Sequence, residues 1–252
     1  MEVNVCGHPH RPGVEFLREI KLERGRTPAE LQDLLATIQG RLNGCPTCRQ
    51  EARVEGDLWK KYFEEIRPLA LFVRLANHQN VICTPNLGND NYDAVIRYGP
   101  GVPKEFVEFT YAKCGYEEHL RNEVLNRDGR VNLFSPITSS RTKNTGHDAQ
   151  VQHEEDQAAV PRLLTLAKHR RLVIEGIKKK ARKQYGRTHI LVVVFDGYLG
   201  FRSGQELGSL ISSIKSEVDL STLDFRALYL LSDSGDNLRQ VPLAGQWLNS
   251  NT

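Results

Sequence analysis

The sequence contains no apolar run close to the roughly 18 residues that a membrane-spanning helix needs. Its longest apolar run, residues 190–195, has the length of one strand. Met1 is followed by Glu2 and Asn4, which does not resemble the start of a secretory signal peptide. We therefore expect a soluble, cytoplasmic protein with no membrane partner.

The motifs of several enzyme classes are also absent from the sequence. Without a Gly-x-x-x-x-Gly-Lys loop, Asp196 after the apolar run does not indicate an ATPase. No glycine fingerprint of dinucleotide-binding proteins follows a strand-like segment, and no Gly-x-Ser-x-Gly elbow indicates an α/β-hydrolase. The five cysteines are an odd number in a chain without a secretion signal, which argues against a disulfide framework.

What the sequence does contain is the composition of a globular protein. Its 252 residues suit one large domain, or one domain with a small module. The hydrophobic share of 39% is near the globular norm, so collagen-like, coiled-coil and wholly disordered chains are excluded.

The N-terminal region carries a set of cysteines and histidines. The segment Cys45-Pro-Thr-Cys48 spaces two thiols for one tetrahedral Zn²⁺. Two more ligands are needed, and the candidates lie near the N-terminus: Cys6, His8 and, as an alternate, His10. A closed set of four ligands is typical of structural rather than catalytic zinc. Free thiols near a turn and, more weakly, a redox pair are the alternatives.

The segment around this cysteine pair resembles the zinc-binding end of the small helical modules of zinc-containing anti-sigma factors. The resemblance covers roughly residues 6–52. In that family a histidine stands four residues before the first cysteine, where this sequence has Arg41. The resemblance implies a small helical zinc-binding module over residues 1–52. Such a module is also a candidate surface for a protein partner or for homo-oligomerisation.

Beyond this region, the apolar pattern predicts a second domain, residues 53–252, that contains both helices and strands. A first helix from Asp57 has Pro68 inside its pattern, which we expect to bend or divide it. Three strands favour an antiparallel meander, at residues 81–83, 92–98 and 106–111. A long helix follows at residues 151–185, with Pro161 inside it. After it come a strand covered on both faces, at residues 190–195, and a last strand, at residues 225–231.

Two acidic residues stand on neighbouring strands of the predicted meander. Asp93 lies near the start of the second strand and Glu108 in the middle of the third. A hairpin can bring such carboxylates together at one edge of a sheet, where they form a candidate oxygen site for Mg²⁺ or Mn²⁺. On the first helix, Glu65 flanks the apolar stripe and could add a third carboxylate. Acidic residues that only face solvent are the alternative.

The order of these elements resembles the core of the PD-(D/E)XK nuclease superfamily, the fold of many restriction and repair nucleases, over residues 57–231. Asp93 matches the first acidic position of the family, Glu108 the second, and Thr110 stands where the family has its lysine. The resemblance implies an α/β fold, an α+β sandwich with a central mixed sheet flanked by helices. It also implies metal-dependent cleavage of phosphodiester bonds at these three positions.

Another residue must supply the missing ammonium group. Strand alternation puts Lys113 on the face opposite Glu108, which makes it a poor substitute. In this superfamily catalytic side chains sometimes move to a neighbouring helix. On the long helix, Lys180 and Lys178 flank the core-facing position Ile177, so either could reach the sheet edge. Lysines that only solvate the helix end are the alternative.

The net charge of +3 hides an uneven distribution. Residues 168–187 hold nine basic residues and one acidic residue, so this segment carries +8 and the rest of the chain −5. Such a helix fits a surface that faces phosphates, and a solvated helix face is the alternative. Candidate phosphate contacts lie on this helix and in the polar loop before it: Lys179, Arg182, Lys183, Arg141 and Lys143.

These patterns favour a metal-dependent nuclease acting on nucleic acid, with DNA as the expected substrate. Thr110 at the lysine position leaves an alternative open, a nuclease-like fold without catalysis that serves as a nucleic-acid or protein interaction module. A third interpretation makes the zinc module the functional part and the larger domain a sensor of a partner.

Overall fold

A computed structural model describes the chain over residues 11–54, 57–88, 90–131, 137–139, 151–153, 161–198 and 200–243. The helices are α1 (Pro12–Glu19), α2 (Pro28–Gly44), α3 (Pro46–Val54), α4 (Asp57–Lys61), a π-helical turn (Tyr62–Ile66), α5 (Arg67–Leu75), α6 (Gly115–Asp128), α7 (Arg162–Ala181), α8 (Gly204–Glu217) and a 3-10 turn (Leu220–Thr222). The strands are β1 (Ile82–Pro85), β2 (Ala94–Arg97), β3 (Glu105–Tyr111), β4 (Ile137–Ser139), β5 (Val151–His153), β6 (His189–Phe195), β7 (Ala227–Ser232) and β8 (Leu238–Val241).

A mixed sheet of six strands, in the order β1-β2-β3-β6-β7-β8, is the centre of the fold. β1, β2 and β3 form the antiparallel meander that the sequence predicts. β6 and β7 then pair parallel to β3, and β8 closes the other edge antiparallel to β7. Helices cover both faces, so the predicted α/β class with a mixed, helix-flanked sheet is confirmed. β4 and β5 form a separate pair of strands.

The apolar run of the sequence becomes β6, in which every residue is buried. Parallel strands on both sides and helices above and below explain why it shows no polar alternation. The long predicted helix is shorter than its pattern suggested. It begins at Arg162, directly after Pro161, and residues 151–153 are a strand instead. In the part of the chain described here, no helix has both the length and the apolarity to cross a membrane.

The helices α1, α2 and α3 share one continuous core with the sheet. Buried side chains from these helices, such as Leu17, Leu31 and Cys48, belong to the same cluster as Phe72 of α5 and Val192 of β6. The predicted boundary at residue 52 falls inside α3, close to its end.

Pro68 divides the second predicted helix, as expected. It occupies the first turn of α5, where its missing N–H costs little, and the π-helical turn Tyr62–Ile66 precedes it directly. A π-helical turn is wider than an α-helical one and often occurs at functional sites. Here it carries Glu65, which is buried.

Arg26 ties the N-terminal helices to the sheet. Its guanidinium is buried and donates to the carbonyl oxygens that follow α1, those of Ile20, Lys21, Leu22 and Arg24, at 2.6–3.1 Å. Its backbone forms a β-bridge to Cys83 of β1, with N–O distances of 2.9 and 2.8 Å. One side chain thus satisfies several carbonyl groups at the junction.

We expect Arg26→Ala to lower the free energy of unfolding by about 3 kcal/mol, because it leaves buried carbonyl groups without donors. Urea denaturation of the full chain measures this change. The matched control is Arg24→Ala, because the Arg24 side chain is 66% exposed. This substitution should change the free energy of unfolding by less than about 0.5 kcal/mol. Equal effects of the two substitutions would contradict this role for Arg26.

Candidate active site

Asp93 and Glu108 lie opposite each other where β2 and β3 separate. The pair Ala94–Val107 is the last in the register of the two strands, and Asp93 comes one residue before it. The Asp93 N–H donates to the Val107 carbonyl oxygen at 2.8 Å, next to Glu108. Lys180 of α7 contacts Glu108, and both Lys180 and Glu108 act electrostatically on Asp93, so the two carboxylates lie near the end of α7.

Lys180 reaches Glu108 from α7. At Gly176 the helix comes close to Thr110, since a Cβ there would lie 3.8 Å from the Thr110 side chain. One turn later the Lys180 Nζ contacts Glu108 Oε1. The side chains are only 15% and 7% exposed, so each charge needs the other as a partner. The structure therefore brings together Asp93, Glu108 and the ammonium group that Thr110 cannot supply.

Tyr185 also contacts this site, and the sequence pattern did not single it out. Its hydroxyl donates to the same oxygen, Glu108 Oε1, at 3.1 Å. The predicted long helix, residues 151–185, includes Tyr185 at its end, but α7 ends at Ala181. The following Gly186 adopts a φ of +88°, which marks a turn. Tyr-Gly after a helical pattern is the signal that could have revealed this turn.

Each of the two carboxylates keeps one oxygen open. Asp93 Oδ2 accepts from the Phe109 N–H at 2.7 Å, and Glu108 Oε1 accepts from Lys180 and Tyr185. Within the described ranges, Asp93 Oδ1 and Glu108 Oε2 accept no hydrogen bond and are not buried without a partner. Two open carboxylate oxygens on one face are the ligands that Mg²⁺ prefers. Asp93 and Glu108 are therefore the residues that could hold a magnesium or manganese ion.

In Glu65, too, one carboxylate oxygen accepts a hydrogen bond and the other does not. Its Oε1 accepts from Lys61 Nζ at 2.7 Å, whereas its Oε2 is buried without a hydrogen-bond partner. Burial raises the pKa of Glu65, and the ammonium of Lys61 opposes this. The described residues contain no group of three or more His, Cys, Asp or Glu side chains that could hold a metal ion. Direct ligation by Glu65 together with the other two carboxylates thus stays a prediction.

Burial and the negative charge of Glu108 raise the pKa of Asp93 to about 7. The Phe109 N–H and the Lys180 ammonium act in the opposite direction, but they are too weak to restore the ordinary value. Asp93 therefore holds its proton to a much higher pH than an ordinary aspartate does. Binding of a cation at this carboxylate requires the proton to leave.

The exposed lysines and arginines at the end of α7 form the basic surface, which we define as Lys178, Lys179, Arg182 and Lys183. They lie within one turn of Lys180, on the solvent side of the helix. Lys178, the other candidate for the missing ammonium group, is therefore exposed. Arg141 and Lys143, predicted to contact phosphates as well, lie outside the described residues.

The cysteine pair lies at the junction of α2 and α3. The Cys48 N–H donates to Cys45 Sγ at 3.2 Å. The Cys48 thiol and this N–H lower the pKa of Cys45, whereas burial raises the pKa of Cys48. The other predicted ligands, Cys6, His8 and His10, lie outside the described residues, so the complete zinc set stays a prediction.

The chain matches no protein-family model, no curated protein and no solved structure. The class of this protein is therefore described from its own fold and from the arrangement of its candidate site. The molecule is an α/β protein with two carboxylates and a lysine gathered where two strands of a mixed sheet separate.

We expect Asp93→Asn to stabilise the metal-free protein clearly more at pH 8 than at pH 5. A carboxyl whose folded-state pKa is raised from 3.8 to about 7 favours folding fully only below pH 3.8, and this contribution is lost progressively as the pH rises from there through 7. Asparagine keeps an acceptor for the Phe109 N–H and carries no charge. We expect a gain of about 1–2 kcal/mol at pH 8, because the partly exposed side chain is screened by solvent.

Thermal denaturation in EDTA at the two pH values measures this difference, with a shift of about 2–4 °C per kcal/mol. Asp33→Asn, which removes an exposed carboxylate on α2, is the matched control and should change little at either pH. An equal gain from Asp93→Asn at both pH values would show that the burial of its charge is not the cause.

Proposed function

We propose that this protein is a metal-dependent nuclease that hydrolyses phosphodiester bonds in nucleic acid, with DNA as the expected substrate. The observation that carries the proposal is the meeting of Asp93, Glu108 and Lys180 at one point of the sheet. Two open carboxylate oxygens beside a buried ammonium group suit a phosphate ester, which carries negative charge and needs a positioned cation for its cleavage.

The path of the chain supports the PD-(D/E)XK interpretation of this site. The helix pair α4–α5 precedes an antiparallel meander, and the chain then crosses over through α6 and α7 to the parallel strand β6. Asp93 and Glu108 take the two acidic positions of that superfamily. Lys180, which lies on α7, would play the role of the superfamily's lysine, because Thr110 occupies the usual lysine position on β3.

The residues have separate parts in the proposed reaction. Asp93 Oδ1 and Glu108 Oε2 would hold Mg²⁺ or Mn²⁺, which when bound polarises the phosphate and makes a water molecule more acidic. The Asp93 carboxyl would have to lose its proton before it could bind the metal ion. Lys180 holds Glu108 in place and adds positive charge next to the scissile phosphate. The basic surface neutralises neighbouring backbone phosphates.

We expect Glu108→Gln, Asp93→Asn and Lys180→Ala each to lower Mg²⁺-dependent cleavage by about 100-fold or more, because each removes charge from the reacting phosphate's surroundings. Supercoiled and single-stranded DNA, incubated with Mg²⁺, Mn²⁺ or EDTA, are the substrates. The matched control is Lys179→Ala, which removes an exposed lysine one position away and should lower cleavage by less than about 5-fold. Full activity in the double variant of Asp93 and Glu108 would exclude this site.

The alternative function is binding without catalysis, and Thr110 at the lysine position favours it. In that case DNA binding would weaken steeply with salt, as expected for the basic surface, and no metal would produce cleavage. The same incubations therefore separate the two functions.

We also propose a structural zinc ion in the N-terminal region, held by Cys45 and Cys48 together with Cys6 and His8, or His10 in place of His8. The hydrogen bond from the Cys48 N–H to Cys45 Sγ and the lowered pKa of Cys45 support it, because zinc binds thiolates, whereas burial favours the neutral thiol at Cys48. Two of these four candidate ligands, Cys45 and Cys48, belong to the described residues.

We expect the purified full chain to contain one zinc ion by elemental analysis, and Cys45→Ser or Cys48→Ser to lose it. Cys114→Ser changes another half-exposed thiol and should keep the ion. Chelation should then lower the melting temperature of the parent chain but not that of the cysteine variants. A parent chain free of zinc would contradict the proposal.

A further inference from the structure

We infer that Tyr185 is a positioning residue of this site, which together with Lys180 fixes the Glu108 carboxylate so that its Oε2 stays open for a metal ion. This inference rests on the proposed function. The two donors come from different elements, Lys180 from the last turn of α7 and Tyr185 from the turn that follows it. Both meet the same oxygen, Glu108 Oε1.

Two donors on one oxygen restrict the rotation of a carboxylate. A single contact leaves the plane of the carboxylate free to turn about the bond to its carboxyl carbon. Lys180 and Tyr185 reach the same oxygen from two different elements, so a partial turn of the carboxylate would lengthen at least one of these contacts. The second oxygen is thereby held away from both donors, on the side where no described residue bonds to it.

The hydroxyl of Tyr185 is itself held in place. Its ring lies 4.7 Å from the ring of Phe225 and 5.6 Å from that of His189, and the residue is only 8% exposed. The next residue, Gly186, has the positive φ that the turn requires, and its N–H donates to Asp224 Oδ2 at 2.7 Å. The donor is therefore positioned by packing before any ligand arrives.

The chemistry of the hydroxyl suits this part. The phenolic hydroxyl of Tyr185 is an uncharged hydrogen-bond donor. A neutral donor holds a carboxylate without cancelling its charge, whereas a second ammonium group would compete with a metal ion for that charge. Lys180 and Tyr185 thus combine one charged and one neutral contact.

Tyr185→Phe removes only the hydroxyl, and Tyr98→Phe is its matched control. The Tyr98 hydroxyl donates at 2.5 Å to Glu105, another buried glutamate of β3, whose side chain projects to the opposite face. We expect Tyr185→Phe to weaken Mn²⁺ binding by about 10-fold, the usual effect of losing a group that orients a metal ligand. Tyr98→Phe should leave Mn²⁺ affinity unchanged even if it lowers the melting temperature. Calorimetric titration of the full chain with Mn²⁺ alone measures the affinity.

Cleavage gives a second readout. Saturating Mn²⁺ should restore most of the activity of Tyr185→Phe, because the defect lies in metal affinity. Unchanged Mn²⁺ affinity in Tyr185→Phe, or no Mn²⁺ binding by the parent chain, would overturn the inference. A parent chain that binds Mn²⁺ with the expected dependence on Tyr185, but cleaves no nucleic acid, would refute the nuclease proposal and leave the positioning role standing.

Discussion

The contact between Lys180 and Glu108 is the interaction on which the arrangement of the site depends. A carboxylate in the middle of a buried strand face is costly unless a positive charge comes to it, and α7 brings that charge across the sheet. The helix comes close to the strand at Gly176, one turn before Lys180, where it lies next to Thr110. The small residue at the lysine position of the strand and the lysine on the helix therefore belong to the same packing arrangement.

The separation of β2 from β3 provides the space for chemistry. Strand pairing stops at Ala94, and Asp93 then uses its side chain instead of its backbone to satisfy the Phe109 N–H. On the other side, the π-helical turn carries Glu65, whose pKa is raised by burial and further by the negative charges of Glu64 and Glu108. The ended strand thus leaves one oxygen of Asp93 open, and the widened helical turn buries one oxygen of Glu65 without a partner. Such groups cost stability, and they occur where a ligand can complete them.

Much of this fold follows from local patterns in the sequence. The strand-like segments predicted the meander, and the unbroken apolar run predicted the doubly covered strand. Helical periodicity predicted that Lys180 or Lys178 could reach the sheet edge, and the structure selects Lys180. The rest depended on tertiary context. β8 has two exposed residues in the middle and pairs only at the sheet edge, so its sequence carries little signal. Tyr185 continued the apolar period past the real helix end, and only the turn at Gly186 redirects it. Periodicity shows which face a side chain takes, but not which group it meets.

Charge balance explains why this site should respond to a cation. Asp93, Glu108 and Glu65 interact electrostatically, and the ammonium groups that contact them are those of Lys180 and Lys61. With all three acids ionised, one negative charge remains without a partner in a poorly solvated region. A proton on Asp93, whose pKa is raised to about 7, balances it. In the proposed metal site, a divalent cation would more than offset this charge and would allow the proton to leave. The excess charge that weakens the metal-free fold above neutral pH would therefore favour the binding of a cation.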